Sequence, residues 1–189
     1  MNQVITMNKI NRAKIYALYV SLASMFMMFS ALVSAYVVRQ AAGNWLEFPL
    51  PMEFYISTGI ILISSLTLHF SKVNYLNDRF SLYKILLGIT LILGIAFVVM
   101  QYQGWLHMTE QGVRLDGNPS GSFVYVISGL HAAHVLGGIA ALILALLQAY
   151  IFGKKKTEMR LVRLNLTLRY WHFVDILWLY LFLFLLLTR

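Results

Sequence analysis

The chain has 189 residues, 60% of them hydrophobic and 12% charged, with a mean hydropathy of +0.72, far from the roughly half-apolar, quarter-charged balance of a soluble domain, which is thereby excluded. A net charge of +8 would suggest nucleic acid in a soluble protein, but the fifteen Lys and Arg sit between apolar runs, where they set membrane topology. The lack of Cys excludes disulfides, thiolate metal sites, iron–sulfur clusters and covalently attached c-type haem.

Lys9, Arg12 and Lys14 precede an apolar run over about 15–38, too long for a signal-peptide core and read as a retained first helix. Ser24, Ser30, Ala31, Ser34 and Ala35 give it small-residue faces that let a neighbouring helix approach. Gly43, Pro49 and Pro51 break the chain, and Trp45 suits the headgroup level. Second and third helices over 53–71 and 82–103 flank a polar turn at 72–79. The longest connection is expected from Gly104 to Gly121, rich in turn residues, with His107 in the outer loop region. A fourth helix over 122–151 carries Gly129, Ala133, Gly137, Ala141, Ala145 and Ala149 at every fourth position, a small-residue ridge expected to pack along its whole length. The last helix is expected over 169–187. The fold class is therefore all-α, a single membrane domain over 1–189 built as a five-helix transmembrane bundle. Alternate loops then carry twelve basic residues on one side and three on the other, which predicts a cytoplasmic N-terminus and a C-terminus on the outer, periplasmic side.

Within the spans the polar groups are few. Asp175 lies inside the last helix, where a carboxylate needs a partner, a proton or a protein interface, because its insertion costs at least ~2.5–3.5 kcal/mol. Counting at 1.5 Å per residue from Ser122 and Arg169 puts His134 and Asp175 at one level and predicts a direct or water-mediated link between them. The same count puts His172 close to the inner face, at the depth of His69. That pair would suit a haem-binding membrane cytochrome, and a small solute or proton transporter is a further alternative. His131-x-x-His134 lacks the ligands to complete a metal site, and Trp171 and Trp178 read as packing or belt aromatics. No catalytic triad, phosphate loop or complete metal site is present in the sequence.

Two stretches carry a resemblance. Tyr170-Trp171-His172-Phe173-Val174-Asp175, followed by Trp178, and Ser128-Gly129-Leu130-His131-Ala132-Ala133-His134-Val135-Leu136-Gly137 resemble the closing and the histidine-bearing helices of subunit III of the haem-copper terminal oxidases. Weaker matches are Ser57-Thr58 with Ser64-Ser65, and Gly94 with Phe97 and Gln101. Met25 and Gly104 stand where many members carry Glu. The resemblance covers nearly the whole chain and is to the short, five-helix form. It implies a non-redox accessory subunit of a complex that reduces dioxygen to water with proton pumping, in aerobic respiration. Haem and copper are then expected in the partner, the catalytic subunit I. This chain would contribute stabilisation, bound phospholipid and support of proton uptake, in a bacterial inner membrane and as part of a respiratory supercomplex. The same resemblance admits a quinol oxidase subunit III or a nitric-oxide-reductase-associated relative. His131, His134, His172, Asp175, Trp171 and Trp178 are then buried polar and packing residues rather than catalytic, cofactor or metal sites.

Overall fold

The computed structural model describes residues 2–151 and 157–188, with side chains from residue 12 onward. The charge count also used Lys154, Lys155, Lys156, Arg189 and the Lys9 side chain, which lie outside the described residues. Five helices follow in order: α1 Asn2–Ala41, α2 Met52–Leu76, α3 Phe80–Glu110, α4 Pro119–Ile151 and α5 Glu158–Leu187. All five are long and apolar enough to cross a membrane by length and composition.

Each expected span lies inside one of these helices, and four boundaries need correction: α1 opens at Asn2 rather than near 15, α2 continues to Leu76 so that the polar turn expected at 72–79 shrinks to 77–79, and two more lie in α3 and α5. The connection expected from Gly104 to Gly121 shrinks to residues 111–118, because α3 continues through Trp105, His107 and Met108 to Glu110. Gly104 does not break the helix. Its missing side chain admits the Phe54 ring, which a Cβ there would approach to 2.7 Å, and the chain turns only beyond it, at Gly112 with φ +83°. The last helix opens at Glu158 rather than near Arg169. Its first turns are charged, which hides them from a hydropathy reading, yet Arg and Leu are good helix formers. Arg160 is buried there with its guanidinium over the rings of Tyr75 and Tyr83, 5.5 and 5.8 Å from their centroids.

α2 and α3 form an antiparallel pair with α4 on α3 and α5 between α4 and α2, while among the described residues α1 touches only α4 and α5. α1 is keyed into the bundle by Phe29 and Tyr36, both fully or almost fully buried, and leaves Tyr16, Val20, Met27 and Val38 outward. At one end of the bundle the loops are tied together by Asn118. Its Oδ1 accepts hydrogen bonds from the backbone N–H of Leu46 (3.2 Å) and of Ser120 (3.0 Å), and its Nδ2 donates to the Asn44 carbonyl (3.0 Å). The same residue thus caps α4, with Pro119 at the first helical position. Tyr36 Oη and Gln40 Nε2 donate to the Thr188 carbonyl at that end (3.4 and 2.7 Å), so the tail of α5 is held by α1. In the 111–118 loop Arg114 donates to both carboxylate oxygens of Asp116, and this hydrogen bonding holds the Asp116 carboxyl below its usual range. The pair is fully solvent-exposed and adds little to stability.

Candidate functional site

The polar centre of the bundle is built where α5 faces α2. Trp171 and Trp178 are two turns apart on α5, and their indole N–H groups donate to Ser64 Oγ (3.0 Å) and Thr58 Oγ1 (2.9 Å) on α2. A hydroxyl suits this task in lipid because it can return its own proton to the helix backbone, as Thr58 does to the Phe54 carbonyl (2.7 Å). Ser57 repeats the pattern for Gln101 of α3, accepting from its Nε2 at 2.7 Å. Three helices are thereby joined by buried hydrogen bonds that need no water.

Trp171 also sets the depth scale. Its indole lies against Gly94 of α3 and Gly138 of α4, where an added Cβ would come within 2.7 and 2.8 Å of ring carbons. These glycines lie near the midpoints of their helices. Arg160 is level with the α2–α3 turn, and Phe182 is level with Tyr55 near the opposite end of α2, with ring centroids 5.1 Å apart. Trp171 and His172 therefore lie near mid-depth. The sequence count that put His172 by the inner face took Arg169 as the start of the helix, about 16 Å too late at 1.5 Å per residue.

Asp175 is 2% exposed, on the α5 face between the two tryptophans. Among the described residues neither carboxylate oxygen has a hydrogen-bond partner of ordinary geometry, and Ser65 is the polar side chain brought towards it. Ser65 Oγ is in turn 2.5 Å from His172 Nδ1. The expected link to His134 is not formed. His134 sits at a similar level by helix register but on another face: its Nδ1 is 2.7 Å from the carbonyl of Leu130 in its own helix, and its ring meets Phe29 of α1. The count reached a shared level only from a helix start at Arg169 that the structure moves to Glu158, and azimuth required the actual α4–α5 crossing.

His131 is fully buried between the rings of Phe29, Phe97 and Trp178, the last at 4.9 Å, and neither ring nitrogen has a hydrogen-bond partner among the described residues. His107, at the end of α3, is half-exposed, with Nδ1 3.2 Å from Glu53 Oε1. The rings of His69 and His172 are 6.2 Å apart and tilted by 41°. No group of three or more His, Asp or Glu side chains among the described residues is arranged to hold a metal ion.

The small-residue ridge also needs correction. Ala133 and Gly137 are exposed, Gly129, Ala141 and Ala145 are partly so, and of the six residues Ala149 is the one fully buried. The packed face is instead Ser128, His131, Val135, Gly138 and Leu142, alternately three and four residues apart. A strict four-residue repeat drifts about 40° per step around a helix and so leaves the contact face, whereas the alternating repeat stays on it. The ridge lines a groove among α1, α4 and α5 made of two adjoining cavities of about 430 and 380 Å3, which share Ala141, Leu166 and Thr167. Arg163 and Gln148 stand in the first of them.

Sequence reading missed Gly138 and Phe29 as parts of this centre, and it named Ser64 and Ser65 only as weaker family matches without a role. A signal existed for the serine. Two Trp seven residues apart in a membrane helix each need an acceptor, and Thr58 and Ser64 are the hydroxyls at nearly the same spacing on α2. Nothing local marks Phe29.

The family described as cytochrome c oxidase subunit III matches residues 16–188. Among curated relatives, the probable cytochrome c oxidase subunit 3 of Nocardia farcinica is 31% identical over 167 residues, 85% of this chain and 81% of its own. The cytochrome c oxidase subunit 3 of Corynebacterium diphtheriae is 30% identical over 189 residues, covering 95% and 90%. The probable quinol oxidase subunit 3 of Staphylococcus saprophyticus is 29% identical over 170 residues, covering 87% and 83%.

Proposed function

The chain belongs to the cytochrome c oxidase subunit III family and is an accessory subunit of a haem-copper oxidase, and from that premise we propose that it acts by helix packing and docking, with the redox chemistry carried by its partner. The observation that supports this reading most is the use of the signature residues of α5. Both indoles are spent on α2 hydroxyls, and Trp171 is wedged between two glycines. These are contacts that hold a fold in lipid. Haem and copper then belong to the catalytic subunit I, and this chain stabilises it and supports its proton uptake in a proton-pumping complex of a bacterial inner membrane. The groove of Ala141, Leu166 and Thr167, with Arg163 at hand for a phosphate, is the proposed place of a bound phospholipid. Relatives named for cytochrome c and for quinol both occur, and the quinol oxidase subunit III is the second reading of the complex.

Affinity purification of the tagged chain in mild detergent tests the proposal. Larger oxidase subunits should come with it and bring a reducible haem spectrum. That spectrum should stay with the partner when the chain is stripped off, and a spectrum that follows the isolated chain would refute the assignment. Orientation has its own check: a reporter active only outside the cytoplasm should work when fused after the last residue and fail when fused at the N-terminus, with the reverse pattern inverting the proposed topology.

A further inference from the structure

The outward face of α2 and α5 is apolar at Leu62, Leu66, Phe70 and Ile176, each at least 40% exposed. Through it runs a polar seam. His69 is exposed, Ser65 and His172 are half-buried, and Asp175 lies behind Ser65. Among the described residues, Nε2 of His172 and both ring nitrogens of His69 have no hydrogen-bond partner.

Depth decides what can cover this seam. Ser65 lies about 20 Å from the Met52 end of α2 and about 17 Å from its Leu76 end, at 1.5 Å per residue. His172 is bonded to it and so lies near the middle of a hydrocarbon core about 30 Å thick, with headgroups about 15 Å away on either side. A histidine side chain is too short to span that distance. Lipid tails would leave its free ring nitrogen unsatisfied, whether that nitrogen donates or accepts, at a cost of several kcal/mol per group. Polar side chains at this depth face protein or a water-filled cavity.

We infer that this α2/α5 face is the surface by which the subunit docks on the oxidase's catalytic partner, against a membrane helix that offers an acidic side chain to His69 and His172. The inference rests on the accessory-subunit reading. Charge selects the acid. The groups facing His172 are His69 and Lys72 from α2 and Asp175 from its own helix, and Lys72 and His69 lie close enough to act on its charge. The Lys72 ammonium, one turn from His69, disfavours an arriving Lys or Arg, and a carboxyl group, which accepts when ionised and donates when protonated, matches the free ring nitrogens. Asp175 cannot serve, because it is buried on the inner side of Ser65.

Photo-crosslinking in the assembled complex tests this. A photoreactive phenylalanine analogue replacing Leu62 or Ile176 should capture the large oxidase subunit. The same analogue at Ile92 of α3, Leu144 of α4 or Met27 of α1, all outward-facing, should not. Capture from those positions with none from Leu62 and Ile176, while the large subunit still copurifies, overturns the docking face and leaves the accessory role standing. If no large subunit copurifies at all, the accessory reading itself fails. His69→Phe and His172→Phe should each lower the large subunit retained through a detergent wash by about three- to tenfold, the equivalent of one intramembrane hydrogen bond. Undiminished retention by both variants overturns the acidic partner.

Discussion

Trp178→Ala should loosen the helix bundle by about 3 kcal/mol, read as the midpoint of unfolding in a titration with sodium dodecyl sulfate. The indole fills the space between Phe54, Phe97, His131 and Phe182, with ring centroids at 6.0, 5.3, 4.9 and 6.3 Å, and it is fully buried. Removing it leaves a cavity walled by stiff rings on four helices, which cannot collapse without moving helices apart. The value is at the lower end of the range for aromatic-to-alanine changes in soluble cores, since lipid is itself apolar and only the lost packing counts. Thr58→Ala removes the acceptor for the same indole and should cost less, about 0.6 kcal/mol, the usual worth of one hydrogen bond between membrane helices. Tyr180→Ala on the outward face should be near neutral. A Trp178→Ala variant as stable as Tyr180→Ala would refute the packing account.

Gly138→Ala should destabilise by about 1–3 kcal/mol, the usual cost of overpacking, though alanine is the better helix former by roughly 1 kcal/mol. The new methyl would lie 2.8 and 2.9 Å from two carbons of the Trp171 ring. That ring cannot retreat, because its far edge lies so close to Gly94 that a Cβ added there would come within 2.7 Å of it, and Ser64 holds its N–H. The effect is therefore coupled to one side chain. In a Trp171→Leu background the same Gly138→Ala change should be neutral or stabilising, so the double-mutant cycle should show an interaction of at least about 1 kcal/mol. Additive effects would mean that Trp171 is not what the glycine accommodates. Gly88, which has open space around it, is the control, and Gly88→Ala should stabilise.

Much of the architecture was legible before any coordinates. Five apolar runs, the breaks at Pro49 and Pro51, and the turn at 72–79 place five helices in lipid, because hydrocarbon admits few alternatives for a chain with these polar interruptions. The depth of Asp175 was not secured by rise per residue, because the count began at Arg169, eleven residues past the true start of α5. The faces of Asp175 and His134 were not readable either. Whether Asp175 points to α2 or to α4 depends on the helix crossings, and these are settled by fits such as Trp171 between Gly94 and Gly138. The ridge on α4 failed for a related reason: small residues at a four-residue repeat look like a packing face in one dimension, yet they rotate off the contact in three.

The sequence by itself determined that this is a membrane bundle of five helices, and the residues of α4 and α5 by themselves pointed to the oxidase subunit III family, because composition and linear motifs survive without tertiary information. Only the tertiary structure decided that the signature tryptophans are hydrogen-bonded to α2, that His131 is enclosed by aromatic rings while His134 turns to α1, and that Asp175, Ser65 and His172 form a seam at mid-depth. Those outcomes depend on angles around helices and on contacts between residues about one hundred positions apart, as between Ser65 and His172, and side-chain direction across such distances is set by packing rather than by local sequence.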